Sequence, residues 1–528
     1  MPAFSGDDRI TRLFTLVPGS DFGVDTLAAI EAVGGRTVPW AEACATTYDL
    51  VLTSSPKGDL PLLSGRHVLL PHGAGYNKSI PGENADSASG LDPALLRRDG
   101  GAPIALHALA HPSQVARLAV GDTRLAHRAK VVGDPTLDRA LASRPLRDHY
   151  RSALRTGPRT LLAIVSTWGR ESLLRRRPGL PAQLAAHLPH DEFQLALVVH
   201  PNEHSRLGTY ELAEMLAPAL DAGLVLAAPH EEWASVLIAA DALITDHGSA
   251  ALYYCGVADR PVVGSYPGGA ELIADSPMHT LLRRIPRLGA AETVRDALRA
   301  YVPGTGRAAA DAAFTFQGDG LHRLRTELYA LLDLTPPGPG SPLRPLPAPR
   351  PAGRSPRGFD VHAEVTVQGV RLVRRPVGLA APGHHLAAEY GAADEGLTRS
   401  AGLLYRRPLP TSATEAELSW TADGWARYAL SAYPGCRSAA AILPTPGTCL
   451  LRTRGQDRPC LLRTEPEDDG NGRLARPDPA AIASAVHAWL LAQPARPPLP
   501  ARLTCHIGGR DYSVLIRPAS GGEAAQLV

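Results

Sequence analysis

Short apolar runs that stop abruptly on small or polar residues, with helical periodicity between them, repeat from Arg12 to about residue 270. Few architectures accept that pattern. The first set is LFTLVPG, YDLVLTSS, HVLLPHG and APIALHALA, alternating with DTLAAIEAVGG and SQVARLAVG. The second is TLLAIVSTWG, FQLALVVHPN, AGLVLAAP, DALITDHGSA and RPVVGSYPG, with QLAAHL, ELAEMLAPAL and WASVLIAA between or beside them. A strand covered on both faces of a parallel sheet is apolar throughout, and parallel neighbours need helical crossovers. The pattern predicts the α/β class: two tandem lobes, residues 1–155 and 156–334, the second closing near the amphipathic LHRLRTELYALLDL. Open parallel sheets bind ligands beyond the carboxyl ends of their strands, so the loops ending these runs are the ones to inspect.

Residues 335–357, TPPGPGSPLRPLPAPRPAGRSPR, are dominated by Pro with Gly and Arg. They cannot build a core, and read as an extended, semi-rigid linker. Beyond it, residues 358–528 alternate apolar and polar positions in DVHAEVTVQGVRLV, TCLLRTRG and ARLTCHIGGRDYSVLIRP, with a helix expected at PAAIASAVHAWLLAQ. That predicts a β-rich α+β domain of unassigned role. A chain of 528 residues exceeds what one core supports, which suits three domains.

Acids and bases nearly balance, leaving a formal charge of +2, so no chain-wide field favours nucleic acid or anionic lipid. The six cysteines lack C-x-x-C or zinc-finger spacing, so no metal site is expected and buried thiols are the simplest reading. The first residues carry acids where a secretion signal needs bases, and no run approaches a membrane span; the sequence reads as cytoplasmic. A GTPase and a nicotinamide dehydrogenase are disfavoured, because neither G-x-x-x-x-G-K-[ST] nor a G-x-G-x-x-G after the first strand occurs.

Four loops could carry chemistry: PHGAGYNK at 71–78, STWGRES at 166–172, HPNEH at 200–204 and TDHGSA at 245–250. Small residues after a strand let backbone approach an anion, and the next helix offers free N–H groups. In TDHGSA, Asp246, Gly248 and Ser249 precede a helix, so Ser249 can cap it or donate to a phosphate. Ser166, Thr167 and Gly169 could form a second anion-receiving turn, with Arg170 near to neutralise charge, although a plain strand-to-helix turn needs the same residues. His72, beside Gly73, is placed to take a proton from an acceptor hydroxyl, and His200 to donate to a phosphate.

The ordered set PHG, VVGDPTLDR (131–139), STWG, HPN and TDHGSA resembles the CDP-glycerol glycerophosphotransferase family over roughly residues 45–265. The resemblance implies the GT-B fold, two Rossmann-like lobes around a nucleotide-donor cleft. It also implies transfer of a phosphoglycerol-like group from a CDP-linked donor to an acceptor hydroxyl, lipid-linked ones included, in building a cell-envelope polymer. By it, His72 matches the histidine of the family's W-H-G motif, the base. His200 matches the H-P histidine that contacts phosphate, and Asp246 and Ser249 match the Asp and second Ser of S-D-Y-S-S. Pro71, Gly248 and Tyr253 depart from the family pattern, which bears on donor and acceptor identity. No cofactor or metal is implied, nor nucleic acid, nor a membrane span; a peripheral position at the inner membrane face is compatible. VVGDPTLDR is expected to be a lobe-linking turn, shaped by Asp134 and Pro135, with Asp138 capping the next helix. Two other readings stay open: another nucleotide-sugar enzyme of this fold, a glycosyltransferase or UDP-sugar 2-epimerase, and a nucleotide-binding scaffold without turnover.

Overall fold

The computed structural model of the chain describes residues 2–18, 23–70, 73–79, 104–121, 123–230, 232–338, 340, 342–350, 354–408, 419–469, 472–495 and 497–528. In the first lobe, β1 (Thr47–Thr53), β2 (Ser64–Leu69), β3 (Ile104–Leu109) and β4 (Ala129–Val131) form a parallel sheet in that order. The run LFTLVPG, expected as a strand, makes one parallel bridge from Phe14 to Thr37. Pro18 has no N–H to continue a ladder.

The second lobe holds β5 (Thr160–Ser166), β6 (Phe193–Val199), β7 (Val225–Leu226), β8 (Ala242–Thr245) and β9 (Val262–Gly264), all parallel, in the order β7-β6-β5-β8-β9. Alternate residues of β5 enter separate cores: Leu161, Ala163 and Val165 on one face, Leu162 and Ile164 on the other. Helices cover both faces, which is why the strand reads as a continuous apolar run. Truncating Leu162 or Ile164 to Ala would cost roughly 2–5 kcal/mol.

Two passages between the lobes lie side by side, and the chain later leaves the first lobe once more to reach the second at residues 342–350. After β4 it turns through Gly133 and Asp134 into the helix Pro135–Ser143, and it returns through residues 314–319 into the helix Gly320–Leu331. That last helix is the amphipathic segment expected to close the second lobe; it packs on the first. Leu324, Leu328 and Tyr329 lie against Ala3, Phe4, Val68 and Leu106, and the Tyr329 hydroxyl donates to Asp7 at 2.8 Å. An apolar stripe reports that a helix is buried, not which sheet buries it. Asp134 caps Pro135–Ser143 by accepting the Thr136 and Leu137 amides at 2.7 and 3.0 Å. Asp138, expected to cap the following helix, instead reaches the return crossing and accepts the Gly318 and Leu321 amides, both at 2.7 Å.

Residues 342–350 of the Pro-rich stretch form no helix or strand and lie along the second lobe. Tyr150 donates to the Leu346 carbonyl at 2.7 Å, Leu346 N–H donates to Ser143 Oγ at 2.9 Å, and Ser235 donates to the Pro347 carbonyl at 2.6 Å. Proline carbonyls lack no acceptor capacity, so the stretch is held by donors from the lobe.

The remaining strands are β10 (Gly358–Thr366), β11 (Gly369–Pro376), β12 (His385–Glu389), β13 (Leu403–Arg406), β14 (Ser438–Ile442), β15 (Thr448–Thr453), β16 (Cys460–Thr464), a hairpin of β17 (Glu467–Asp468) and β18 (Leu474–Ala475), β19 (Ala501–Ile507) and β20 (Arg510–Pro518). Nine of them close a mixed barrel in the order β10-β11-β19-β20-β16-β15-β14-β13-β12. Along β14, Ala440 and Ile442 face the inner core while Ala439 and Ala441 face a second core with the helix Ala422–Ala432. The helix Pro479–Ala492 forms where PAAIASAVHAWLLAQ predicts it; residues 480–487 are all buried, and the apolar ones among them belong to the inner core. Its apolar residues occur all round, as a helix enclosed on every side requires. The barrel sits against the second lobe through Arg374, whose fully buried guanidinium bonds Asp191 at 2.6 and 2.9 Å and Asp478 at 2.9 Å. Five of the six cysteines are buried. No described helix is long and apolar enough to cross a membrane.

Candidate functional site

Strand order in the second sheet reverses between β5 and β8, so a crevice opens between the loops at their carboxyl ends. Asp246, the residue after β8, joins those two loops. One carboxylate oxygen accepts the Thr167 and Leu173 amides at 2.9 and 2.8 Å, and the other accepts the Gly248 amide at 2.9 Å. Asp246 is 1% exposed, so its oxygens are spent on backbone. Ser166 is committed too, donating to the Thr167 carbonyl at 3.1 Å and accepting Leu174 N–H at 3.1 Å. Thr167 is buried and packs against Gly248, where an added Cβ would lie 3.0 Å from the Thr167 Cβ.

Ser249 heads the helix Ala250–Val257 but makes no capping hydrogen bond. It faces the first lobe: a Cβ on Gly73 would lie 2.9 Å from the Ser249 hydroxyl oxygen. Gly73 has φ of +69°, which suits glycine, so the post-β2 loop can reach this point without a side chain. His72, the proposed base, lies outside the described residues. His200 caps the helix Pro201–Asp221 by accepting the Asn202 amide on Nδ1 at 3.1 Å, and its ring centre lies 6.2 Å from that of Trp168.

The same first-lobe loop carries Lys78 across the cleft. Its ammonium pairs with Glu271 at 2.9 Å, donates to the Trp168 carbonyl and stands 4.2 Å over the Trp168 ring. Gly169, at φ of +96°, leaves room for it; a Cβ there would lie 3.1 Å from Lys78 Nζ. Ser79 N–H donates to the Glu271 carbonyl at 2.8 Å, and Asn77 accepts the Ile273 amide on its carbonyl and the Met278 amide on Oδ1, at 2.9 and 3.1 Å. The lobes are stitched together along this line.

Glu271 also accepts from His247 Nε2 at 3.2 Å, while His247 Nδ1 is buried with no hydrogen-bond partner among the described residues. Burial lowers the His247 pKa below its ordinary value, against the pull of Asp246 and Glu271. Glu171 accepts the Tyr266 hydroxyl and the Ala270 and Glu271 amides, the latter two at 2.9 and 3.2 Å. Burial opposes its charge, yet those bonds hold its carboxyl below the usual range. Glu171, His247 and Glu271 bring one ligand atom each within 4.8 Å of one another, a spacing suited to a cation, and Lys78 supplies one.

Two carboxylates beside Gly169 change the electrostatics expected of STWG. An anion in that turn would meet Glu171 and Glu271 as well as Lys78, whereas a hydroxyl would find acceptors. Arg170, assigned there to neutralise charge, is exposed. Tyr253, the departure at a family acid, is buried away from the crevice and donates to Asp134 at 2.8 Å. Lys78 and Glu171 sit inside the loops singled out in the sequence but carried no role there. Glu271 was missed: it follows Pro267, Gly268, Gly269 and Ala270, outside any periodic segment. The paired glycines are the available signal, because a Cβ on Gly269 would lie 2.2 Å from Glu171 carboxylate oxygens.

No family model and no curated protein matches the chain. Among solved structures, the wall teichoic acid polymerase TagF is similar over 56% of this chain and 78% of its own, at 13% identity and a TM-score of 0.41. Anabaena Alr3699/HepE in complex with UDP-glucose is similar over 61% and 99%, at 14% identity and a TM-score of 0.38. Likeness at this level assigns no activity to the chain.

Proposed function

We propose that the chain is a transferase that takes a nucleotide-linked donor in the β5/β8 crevice and passes a phosphoglycerol-like group to an acceptor hydroxyl presented from the first lobe. The observation that carries this reading is the Asp246 bracket, which shapes the loops after β5 and β8 into one surface at the switch point, with Ser249 turned to the post-β2 loop. In this reading Thr167, Gly248, Ser249 and His200 form the donor surface, Asp246 and Ser166 hold it in shape, and His72 is the base; Gly169, taken from the sequence as part of that surface, instead borders Lys78 and Glu271. The sequence resemblance supports a CDP-linked donor and an envelope polymer as product.

A second reading, a nucleotide-sugar enzyme, gains support from Glu171 and Glu271. An epimerase needs carboxylates in its cleft, and these two lie in the crevice. Thermal shifts with CDP, CMP, CDP-glycerol and UDP-sugars separate the two, since a ligand raises stability by mass action. CDP and CDP-glycerol should raise the melting temperature more than CMP does. Equal shifts for CMP and CDP remove the pyrophosphate site, and a larger shift with UDP-sugars favours the second reading. His72→Ala should keep nucleotide binding while transfer falls by roughly a hundredfold; transfer at the parental rate would exclude His72 as base.

A further inference from the structure

The crevice and the lobe crossings are joined by one short helix. Ala250–Val257 begins at Ser249, over the crevice, and one turn later presents Tyr253 to the chain crossings. Tyr253 is held between the rings of Trp233, at 5.4 Å, and Phe314, at 5.1 Å, Phe314 being the first residue of the return crossing. Its hydroxyl donates to Asp134 Oδ2 at 2.8 Å, while Oδ1 accepts the amides that start the outgoing helix.

The two crossings touch backbone to backbone at this point. A Cβ on Gly133 would lie 2.9 Å from the Thr315 carbonyl oxygen and 3.0 Å from Gly320 Cα; one on Gly320 would lie 2.8 Å from Asp134 N. Asp138, one turn beyond Asp134, clasps the return crossing through Gly318 and Leu321. The two adjacent crossings therefore meet at Asp134, and Tyr253 ties the crevice helix to it.

We propose that Tyr253 is a positioning residue: its bond to Asp134 sets the register of the Ser249 helix against the lobe crossings, and so couples nucleotide binding in the crevice to the angle between lobes. This rests on the crevice being the donor site. A shorter acid at position 253, as in the family pattern, would not reach across and would face Asp134 with a second carboxylate. The titratable groups facing Asp134 are Tyr253 from the crevice helix and Asp138 from its own helix, and Asp319 of the return crossing acts on Asp138. Burial raises the Asp134 carboxyl to about 6, so acid neutralises the acceptor of the Tyr253 bond.

The test is Tyr253→Phe, which keeps the ring between Trp233 and Phe314 and deletes the bond, with Asp134→Asn as second variant. CDP affinity and amide hydrogen exchange are measured on the full chain at pH 5 and 7.5. Tyr253→Phe should weaken CDP binding roughly tenfold at pH 7.5, the size of one buried hydrogen bond, and by less at pH 5. Exchange should quicken at both ends of the link, at 249–252 and at 315–321. Unchanged affinity together with unchanged exchange overturns the proposal, as does quickening confined to the neighbours of position 253. If the parent protein takes up no nucleotide, the proposed function falls, and exchange at the two ends alone decides the coupling.

Discussion

Replacing Asp246 by Asn leaves the shape of the side chain and removes one of its two acceptor oxygens. Asp246 serves three backbone amides, two on one oxygen and one on the other. Whichever way the Asn amide sits, its nitrogen faces at least one buried N–H. Orphaning that group costs about 1–3 kcal/mol, and each remaining bond weakens from a charge-assisted ~1.5–3 to a neutral ~0.5–1.5 kcal/mol. Relief from burying a carboxylate offsets part of this. A net loss of about 3 kcal/mol is expected, a fall of roughly 6–12 °C in melting temperature for a unit of this size. Circular dichroism melts with and without CDP measure both quantities. Ser249→Ala is the control: its hydroxyl caps nothing, so the melt should stay within about 1 °C while the CDP shift shrinks. If Asp246→Asn melted within about 2 °C of the parent yet lost its CDP shift, Asp246 would be a ligand contact and the bracket reasoning would be wrong.

Lys78→Met removes the ammonium that crosses the cleft and leaves Glu271 with His247 alone; a loss of about 3 kcal/mol and faster exchange over residues 73–79 are expected, and a parental melt would show that Lys78 does not hold the lobes. Arg374→Met leaves Asp191 without its cation at the barrel contact and should cost about 3–5 kcal/mol, read by whether barrel and lobes then melt as separate transitions. Asp134 has a folded pKa of about 6 against an ordinary 3.8, so the folded state keeps a proton that the unfolded state releases. Its contribution is full below pH 4 and is lost as pH rises through 6, about 3 kcal/mol in all. Asp134→Asn should flatten that part of the stability profile, and an unchanged slope between pH 4 and 6 would assign it elsewhere. Residues 342–350 should resist limited proteolysis in the parent and become cleavable in Tyr150→Phe with Ser143→Ala, because Leu346 then loses both side-chain partners.

Strands β5, β6 and β8 were legible because a strand between two helical layers has no polar face to confuse its reading. Their loops were legible for the same reason, each beginning where the apolar run stops. Roles inside the loops were not. Asp246 reads as a helix-start residue, and nothing local says that two of its three partners are Thr167, in the loop after β5, and Leu173, at the start of the helix that follows that loop. Glu271 and Lys78 meet only because two lobes close on each other, information that no periodicity carries. The helix Gly320–Leu331 was visible as a helix, while its return to the first lobe depends on Phe4, Val68 and Leu106, hundreds of residues earlier in the chain. In the C-terminal domain the alternation was visible and the closure was not, since β11 meets β19 by pairing Val370 with Cys505.

That closure bears on how the barrel comes into being. Seven wall strands, β10 to β16, emerge from a ribosome before the helix Pro479–Ala492 that fills them, and β19 and β20, which complete the ring between β11 and β16, emerge last. Until then the open wall shows water its inner face, including Leu403, Tyr405 and Leu451, and leaves β11 and β16 with unpaired edges. Such edges pair readily with any neighbouring strand. A nascent chain stalled before residue 501 is therefore prone to aggregate, and contacts that bridge so long a stretch of chain make this step of barrel assembly a slow one.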